Sequence, residues 1–363
     1  TLTTSKKIIF CSGGTGGHIF PAISLMKYFS DKGCNVILVT DVRGDNFLKN
    51  YSKFQSYIIT ADTPLNKNIF KKIYSLINIF FSMIKSIYIL YKEKPNLVFG
   101  FGGYVSFPIA FVSKIFNIPL VIYDNNVVLG RTNKYLLPFA KKILLATKTS
   151  IKFPEKYKKK IFEVGYILRE DITNFSSPKK NNDKFFTILV LGGSQGAEIF
   201  GKIVPQVIKM IKDKGYKIEI NQQCIKSQTD EIIKFYKKNE IKSNVFEFEH
   251  NILNLILSSD LAISRCGAST TAELVHTHTP FIAVPYPHSM DNHQYLNAKY
   301  YENLGCCWLL NQNNFDTTNL FNLIIEIIND EKKLENIRNN MKKNDSKDVY
   351  SNVEKQINEF FIK

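Results

Sequence analysis

At 363 residues the chain is long enough for two domains, each with a core of its own. Its net charge of +16 comes from 48 Lys and Arg against 32 Asp and Glu; only five of the cations are Arg, and Lys, Asn, Ile, Phe and Tyr abound, so a compositional bias toward solvated lysines accounts for it and the charge selects no partner among nucleic acid, membrane and acidic substrate. Six cysteines without a C-x-x-C pair or metal-ligand spacing argue against a disulfide framework or a zinc site, and read as reduced, mostly buried thiols of a cytosolic protein.

The N-terminus passes from a polar stub straight into the apolar run Lys7–Cys11, with no secretory signal. That run predicts a strand, which breaks into Gly13-Gly14-Thr15-Gly16-Gly17-His18. A helix is expected over 21–32, with Pro21 in its first turn and Gly33 closing it, and then a strand over 34–40. From 69 to 92, Ile73, Leu76, Ile77, Phe80, Phe81, Ile84, Ile87, Tyr88 and Tyr91 recur with a 3.6-residue period, punctuated by Lys71, Lys72, Lys85 and Lys92. Two readings fit this helix. It is a crossover helix of the sheet, or an apolar and basic surface lying on an anionic membrane, and both hold if only one face docks. Its longest uncharged run, the 12 residues 73–84, reads as too short to span a bilayer.

A strand over 96–100 runs into a second glycine turn, Gly100-Phe101-Gly102-Gly103-Tyr104, and a strand over 118–123 ends in Asp124-Asn125-Asn126. Residues 174–183 are rich in Ser, Pro, Lys and Asn and read as a linker. The second half repeats the logic of the first, with strands at Phe186–Leu191, 216–220, 244–248, Leu261–Ser264 and 281–285. After the first of these the apolar run again breaks into glycines, Gly192-Gly193-Ser194-Gln195-Gly196-Ala197. Strand and helix in alternation predict an α/β fold with parallel sheets covered on both faces. The expected division is an N-terminal domain over 1–165 and a C-terminal domain over 166–345; the helical stretch within 346–363 is free to pack back on the first.

Three local patterns carry chemistry. A strand, a glycine turn and a helix start make an anion site, because unpaired amides and the positive dipole end point outward. His18 opens the helix after the first such turn, where it serves either as a structural cap or as a base, since a helix N-terminus disfavours an imidazolium. In Arg265-Cys266-Gly267-Ala268-Ser269-Thr270-Thr271-Ala272-Glu273, Thr270-x-x-Glu273 fits a capping box; equally, the amides and hydroxyls fit a diphosphate, with Glu273 on ribose hydroxyls. The loop Pro285-Tyr286-Pro287-His288-Ser289-Met290-Asp291-Asn292-His293-Gln294 follows a strand and is either a sugar-hydroxyl reader or a solvated loop. No Asp-x-Asp pair is present to suggest a metal-bound diphosphate.

Five segments in register, residues 13–22, 100–108, 191–197, 264–273 and 285–298, resemble the MurG family of bacterial glycosyltransferases, over residues 7 to 340. The resemblance implies a GT-B fold, two Rossmann-like domains with parallel sheets facing a deep interdomain cleft. It implies an inverting N-acetylglucosaminyltransferase that moves N-acetylglucosamine from UDP-GlcNAc to undecaprenyl-diphospho-MurNAc-pentapeptide (lipid I), giving lipid II for peptidoglycan and so for cell-wall biogenesis, shape and division. By the same resemblance His18 is catalytic, and Thr15, Gly16, Gly17, Asn126, Arg169, Ser194, Ala268, Ser269, Thr270, Glu273, His293 and Gln294 bind the donor. Gly14, Thr15, Gly102, Gly103 and Tyr104 face the acceptor diphosphate. No metal and no cofactor is required, UDP-GlcNAc being a substrate. The expected place is the cytoplasmic face of the inner membrane, held peripherally on an anionic surface, with no nucleic acid as partner. Two segments depart from the family pattern: its His-Glu-Gln-Asn reads Tyr123-Asp124-Asn125-Asn126, and its Gly-Asn-Pro-Val-Arg reads Gly165-Tyr166-Ile167-Leu168-Arg169. A UDP-sugar 2-epimerase of the same fold is the alternative, and a basic nucleic-acid-binding protein would explain the charge but not the motifs.

Overall fold

The computed structural model describes residues 6–51, 54–60, 69–147, 153–173, 175, 185–193, 197–249, 251–346 and 348–361. It divides into two units, Thr1–Arg169 with Ser346–Lys363, and Glu170–Asp345. In the first, the order is β1 (Lys7–Cys11), α1 (Gly16–Asp31), β2 (Asn35–Thr40), α2 (Val42–Tyr51), β3 (Gln55–Ile58), α3 (Ile69–Glu93), β4 (Leu97–Gly100), α4 (Ser106–Ile115), β5 (Leu120–Asp124), α5 (Arg131–Leu136), β6 (Lys142–Leu145) and β7 (Ile161–Glu163). The second unit runs α6 (Glu170–Thr173), β8 (Phe186–Leu191), α7 (Glu198–Asp213), β9 (Ile218–Gln223), α8 (Thr229–Lys238), β10 (Lys242–Phe246), α9 (Ile252–Ser258) and β11 (Leu261–Ser264). It continues with α10 (Ala268–His276), β12 (Phe281–Ala283), α11 (His293–Asn303), β13 (Cys307–Leu309), α12 (Thr317–Asn329) and α13 (Glu331–Asn344). The chain then returns to the first unit as α14 (Val349–Ile357).

Both sheets are parallel and doubly wound: β3-β2-β1-β4-β5-β6-β7 in the first unit and β10-β9-β8-β11-β12-β13 in the second. Alternation along β1 sends Ile8 and Phe10 to one face and Ile9 and Cys11 to the other, and each face has its own core. The first core is closed by α1 and by Val349, Val353 and Ile357 of α14, the second by α4, α5 and the end of α3. In each sheet the order reverses once, between β1 and β4 and between β8 and β11. Ligands of open α/β sheets bind outside the carboxyl ends of the strands at such a reversal. The described residues of the glycine turns singled out in the sequence lie there.

Several expectations are corrected. The first helix begins at Gly16, not at residue 21, so Pro21 sits inside it. Its ring removes the N–H that would bond the Gly17 carbonyl, and Asn125 Nδ2 takes that carbonyl at 3.1 Å. The strands expected at Lys7–Cys11, Phe186–Leu191 and Leu261–Ser264 keep their bounds, and the others shift by one to three residues at their ends. The linker at 174–183 lies outside the described residues except for Phe175. The division falls after Arg169, because Ile167 is part of the first unit's core and its amide donates to Tyr123 Oη at 3.0 Å.

In α3 only one face docks, the case in which both readings of that helix hold. Its apolar stripe faces outward: Phe80, Phe81 and Tyr88 are 61%, 63% and 58% exposed, while Ser75, Ser82, Ser86, Ile89 and Leu90 are buried. Ser86 Oγ donates to the Ser82 carbonyl at 2.7 Å and Ser82 Oγ to that of Thr60, so the buried serines are satisfied. By length and composition alone, Ile73–Glu93 with mean hydropathy 1.6 is enough to cross a membrane, contrary to the reading from its uncharged run. Its serine face is docked on the first unit.

Candidate functional site

In the first unit, two glycine turns pack backbone against backbone. Phe101 N donates to the Cys11 carbonyl at 2.9 Å and Gly13 N to the Gly102 carbonyl at 2.9 Å. A Cβ on Gly103 would stand 2.8 Å from Gly13 Cα, and Gly102 and Gly103 have φ of +92° and +82°. Only glycine fits this crossing. Gly14 is already engaged: its amide donates to Asp41 Oδ2 at 3.2 Å, and a Cβ there would collide with that carboxylate.

Thr15 is the exposed N-cap of α1 with no capping bond from its side chain, followed by Gly16 and Gly17 in the first turn. First-turn amides have no partner within a helix, so this end faces outward as an anion acceptor. His18 is the third residue of α1; its ring lies along the second turn, with Cε1 3.2 Å and Nδ1 3.3 Å from where a Cβ would stand on Gly102. Tyr104 follows the turn, and Ser106 Oγ fixes it by donating to the Gly103 carbonyl at 2.8 Å. Behind the histidine, Asp124 ends β5 buried, accepting from Asn126 N (3.0 Å), Gly130 N (2.7 Å) and Asn133 Nδ2 (3.0 Å). Asn126 is thereby held in the turn that closes this end of β5. Arg169 lies with its guanidinium 6.0 Å from the Phe20 ring centre, beside α1.

In the second unit the corresponding turns are tied by neutral amides. Gln223 Oε1 accepts from Gly192 N at 2.9 Å and its Nε2 donates to the Gly193 carbonyl at 3.2 Å, with Gly193 at φ +83°. Ser194 lies outside the described residues. The N-cap of α10 is Gly267, so Thr270 is the third helical residue and the capping box read from Thr270-x-x-Glu273 does not form. Ser269, Thr270 and Glu273 are instead half-buried side chains, the first two standing four and three residues before Glu273 and so beside it on the helix, below the amide of the buried Ala268.

Gln294 Oε1 accepts from Cys266 N (3.0 Å) and Tyr286 N (2.9 Å), fastening the turn after β11 to the loop after β12. Its Nε2 is the group left for a ligand. His293 opens α11 after Asp291 and Asn292, both left-handed at φ +51° and +57°, with Nδ1 2.8 Å from the Met290 carbonyl. The same loop walls a cavity of about 400 Å³ lined by Tyr286, Asn292, Tyr295, Asn311 and Gln312, an uncharged set of phenols and amides suited to hydroxyl and acetamido groups. Arg265, which the sequence left without a role, is buried and supports the loop. It donates to the Val284 and Pro285 carbonyls at 3.1 and 3.2 Å and to Gln312 Oε1 at 2.6 Å, and burial lowers its pKa.

Asn125, Asn133, Gln223 and Asp41 were also missed. Each acts on a turn distant in sequence, so no local pattern marks it. Among the described residues no three His, Cys, Asp or Glu side chains are grouped to hold a metal ion. All six cysteines are free, and burial raises the Cys306 thiol to about 11 and drives Cys11 and Cys266 further in the same direction.

Residues 8–145 match the glycosyltransferase family 28 N-terminal domain and residues 187–353 its C-terminal domain. Curated relatives from Pelagibacter ubique and Rickettsia canadensis are 36% and 37% identical, over 97% and 93% of this chain and 98% and 95% of theirs. Both are named UDP-N-acetylglucosamine–N-acetylmuramyl-(pentapeptide) pyrophosphoryl-undecaprenol N-acetylglucosamine transferase. Among solved structures, MurG of Acinetobacter baumannii superposes with a TM-score of 0.78 at 23% identity, covering 98% of this chain and 99% of that one. A Staphylococcus aureus MnaA–UDP structure superposes at 0.69 with 13% identity, covering 98% of each, which is a likeness of fold alone.

Proposed function

The chain belongs to the MurG family within glycosyltransferase family 28, and on that premise we propose how its residues divide the reaction. The enzyme transfers N-acetylglucosamine from UDP-GlcNAc to lipid I in peptidoglycan synthesis. The observation that carries this is similarity over nearly the whole length, with glycine turns standing at the reversal of both sheets. An epimerase of the same fold is not favoured, since the full-length relatives are named as transferases.

The second unit takes the donor. The outward amides at the start of α10, with Ser269 and Thr270, hold the diphosphate; Glu273 grips the ribose hydroxyls; Gln294 Nε2 and His293 meet the sugar. The resemblance assigns Thr15, Gly16, Gly17, Asn126, Arg169 and Ser194 to the donor as well. The first unit takes the acceptor, whose diphosphate lies on Gly102, Gly103 and Tyr104 and on Thr15 at the start of α1. Gly14 contributes no amide, because Asp41 holds it.

Inversion is one in-line step. The acceptor hydroxyl gives its proton to His18 as its oxygen bonds to the anomeric carbon, and UDP leaves with the electrons of the broken bond. UDP-GlcNAc is consumed as a substrate, and the residue set asks for no cofactor. The exposed apolar stripe of α3, with Lys85 and Lys92 on the same helix, lies on the anionic cytoplasmic face of the inner membrane and keeps the enzyme beside its lipid substrate.

Incubation with labelled UDP-GlcNAc, with and without lipid I, tests the reaction: label must appear in lipid only when lipid I is present. UDP release without acceptor, or an epimerised sugar nucleotide, would refute it. Sedimentation with anionic liposomes at low and high salt tests the membrane contact, which should weaken as salt screens the lysines.

A further inference from the structure

The first turn of α1 opens with Gly16-Gly17-His18, two residues without a Cβ to restrict the backbone and then the candidate base. Its start closes on the Thr15 carbonyl, which accepts from His18 N and Ile19 N, each at 3.0 Å. One turn on, Pro21 has no N–H to give to the Gly17 carbonyl, so the hydrogen-bond ladder that would hold this turn in line with the helix has a gap. Asn125 fills the gap from 108 residues away, donating from Nδ2 to that carbonyl at 3.1 Å.

The Asn125 carboxamide is held at both ends. Its Oδ1 accepts from Asn126 Nδ2 at 3.3 Å, so a flipped amide would set oxygen against the Gly17 carbonyl and N–H against N–H. Asn126 is fixed in turn by Asp124, whose Oδ1 accepts from Asn126 N at 3.0 Å. Asn125 is 6% exposed, whereas Gly17 is an exposed residue that water reaches. Water satisfies a surface carbonyl nearly as well as a side chain does. What a buried, doubly anchored amide adds is direction: it fixes a turn of glycines against the end of β5.

We propose that Asn125 is a positioning residue for the transfer. Acting through the Gly17 carbonyl, it sets the first turn of α1, and with it the residue next in the chain, His18. Through Asn126 the same tie reaches a residue assigned to the donor, so one chain of neutral amides registers the base to that residue. A turn free to tilt about its glycines would present His18 over a range of positions, and a displacement of about 1 Å at a reacting group costs on the order of 10²-fold in rate. A carboxylate in place of Asn125 would oppose the carbonyl it holds, and a shorter side chain would not reach it. The proposal rests on His18 being the base.

The test pairs Asn125→Ala with Pro21→Ala in the full chain, because alanine at 21 restores the amide that the helix lacks. Asn125→Ala should lower kcat about tenfold or more with KM for UDP-GlcNAc within about twofold, the pattern of a lost transition-state interaction. Pro21→Ala alone should stay within about twofold of wild type, since it adds a hydrogen bond and removes none. In the double variant the helix supplies the Gly17 bond itself, and kcat should return to within about threefold of wild type, a non-additivity that requires a shared partner. An Asn125 that only supported the turn after β5 would gain nothing from Pro21→Ala.

Should Asn125→Ala not fold, Asn125→Ser decides: it keeps a polar group after β5 but is too short to reach the Gly17 carbonyl, and the same loss and the same rescue are expected. Unimpaired kcat in the Asn125 variant overturns the proposal, and so does a loss that Pro21→Ala leaves in place, since Asn125 would then act through another group. A change confined to KM for UDP-GlcNAc makes Asn125 a donor contact and overturns it too. In each of these cases strong loss of turnover in His18→Ala leaves the base reading standing. Near-normal turnover in His18→Ala removes the base reading, and the proposal with it.

Discussion

The two glycine sites share one sequence pattern and differ in what ties them down. In the first unit the turn after β1 is held by a carboxylate, Asp41 on Gly14 N, and another carboxylate, Asp124, lies buried behind His18. In the second unit the equivalent turns are held by carboxamides, Gln223 on Gly192 N and Gln294 on Cys266 N. A carboxylate beside an anion site opposes a diphosphate, whereas an amide fixes the same backbone without charge. The first unit also brings its two turns into contact at Gly13 and Gly103 and sets a histidine on them. One strand–glycine–helix device therefore serves an anion in both units, with carboxylate ties and a histidine beside it in the first and neutral ties in the second.

The largest effect should come from the first unit. His18→Ala removes the proton acceptor and should reduce turnover on the order of 10²–10⁴-fold, while UDP-GlcNAc affinity, assigned to the other unit, stays near the wild-type value. Calorimetry and initial rates on the same preparation check both halves. A variant with near-normal turnover would leave His18 a structural residue and dissolve the contrast between the units.

The donor side should respond in binding. Glu273→Ala removes a half-buried carboxylate from the ribose position and should weaken UDP-GlcNAc binding by about 1–3 kcal/mol. Gln223→Glu places on the second unit the kind of charge that the first carries at Asp41, and should cost roughly tenfold in UDP affinity. Gln223→Leu breaks the same hydrogen bonds without charge. If the two Gln223 variants lose equally, and the Glu variant recovers nothing at high salt, the electrostatic distinction fails.

How far the sequence reached follows from what each feature depends on. The glycine turns were legible because a strand, a turn with no Cβ and a helix start are adjacent in the chain. The beginning of α1 was not: glycines depress helix propensity and Pro21 resembles a first-turn proline, and only the distant Asn125 lets the helix run through it. The period of α3 was legible but its direction was not, since buried Ser82 and Ser86 are tolerable only because backbone carbonyls accept from them. Short strands such as β7 and β13, three residues each, carry too little pattern to be seen. Asp41 reaches Gly14 across 27 residues and Gln223 reaches Gly192 across 31, separations at which composition and period carry no signal.

The helices that carry the two sites also end differently, and that predicts the smallest effect. α1 ends at Gly33, left-handed at φ +83°, with no basic residue in its last turn. α10 ends on His276, whose Nδ1 lies 2.7 Å from Asp345 Oδ1, with the Phe175 ring edge-on at 5.8 Å. The Asp345 bond raises the His276 pKa above its ordinary 6.5, burial opposing, and the backbone of Thr173 and Ile172 adds to the rise. A raised value means that folding favours the protonated ring. The stabilisation is therefore complete below about pH 6.5, where the unfolded chain is also protonated, and is lost as pH rises through the higher folded value. His278 is pushed down by burial and works in the opposite sense, so the wild-type curve contains both. The difference in unfolding free energy between wild type and His276→Gln isolates the pair: it should be largest near pH 6 and shrink toward pH 8. The gap should appear in amide-exchange protection of α10 and α13 and be absent from α1. A gap that does not change with pH would show that His276 serves only as a neutral hydrogen-bond partner.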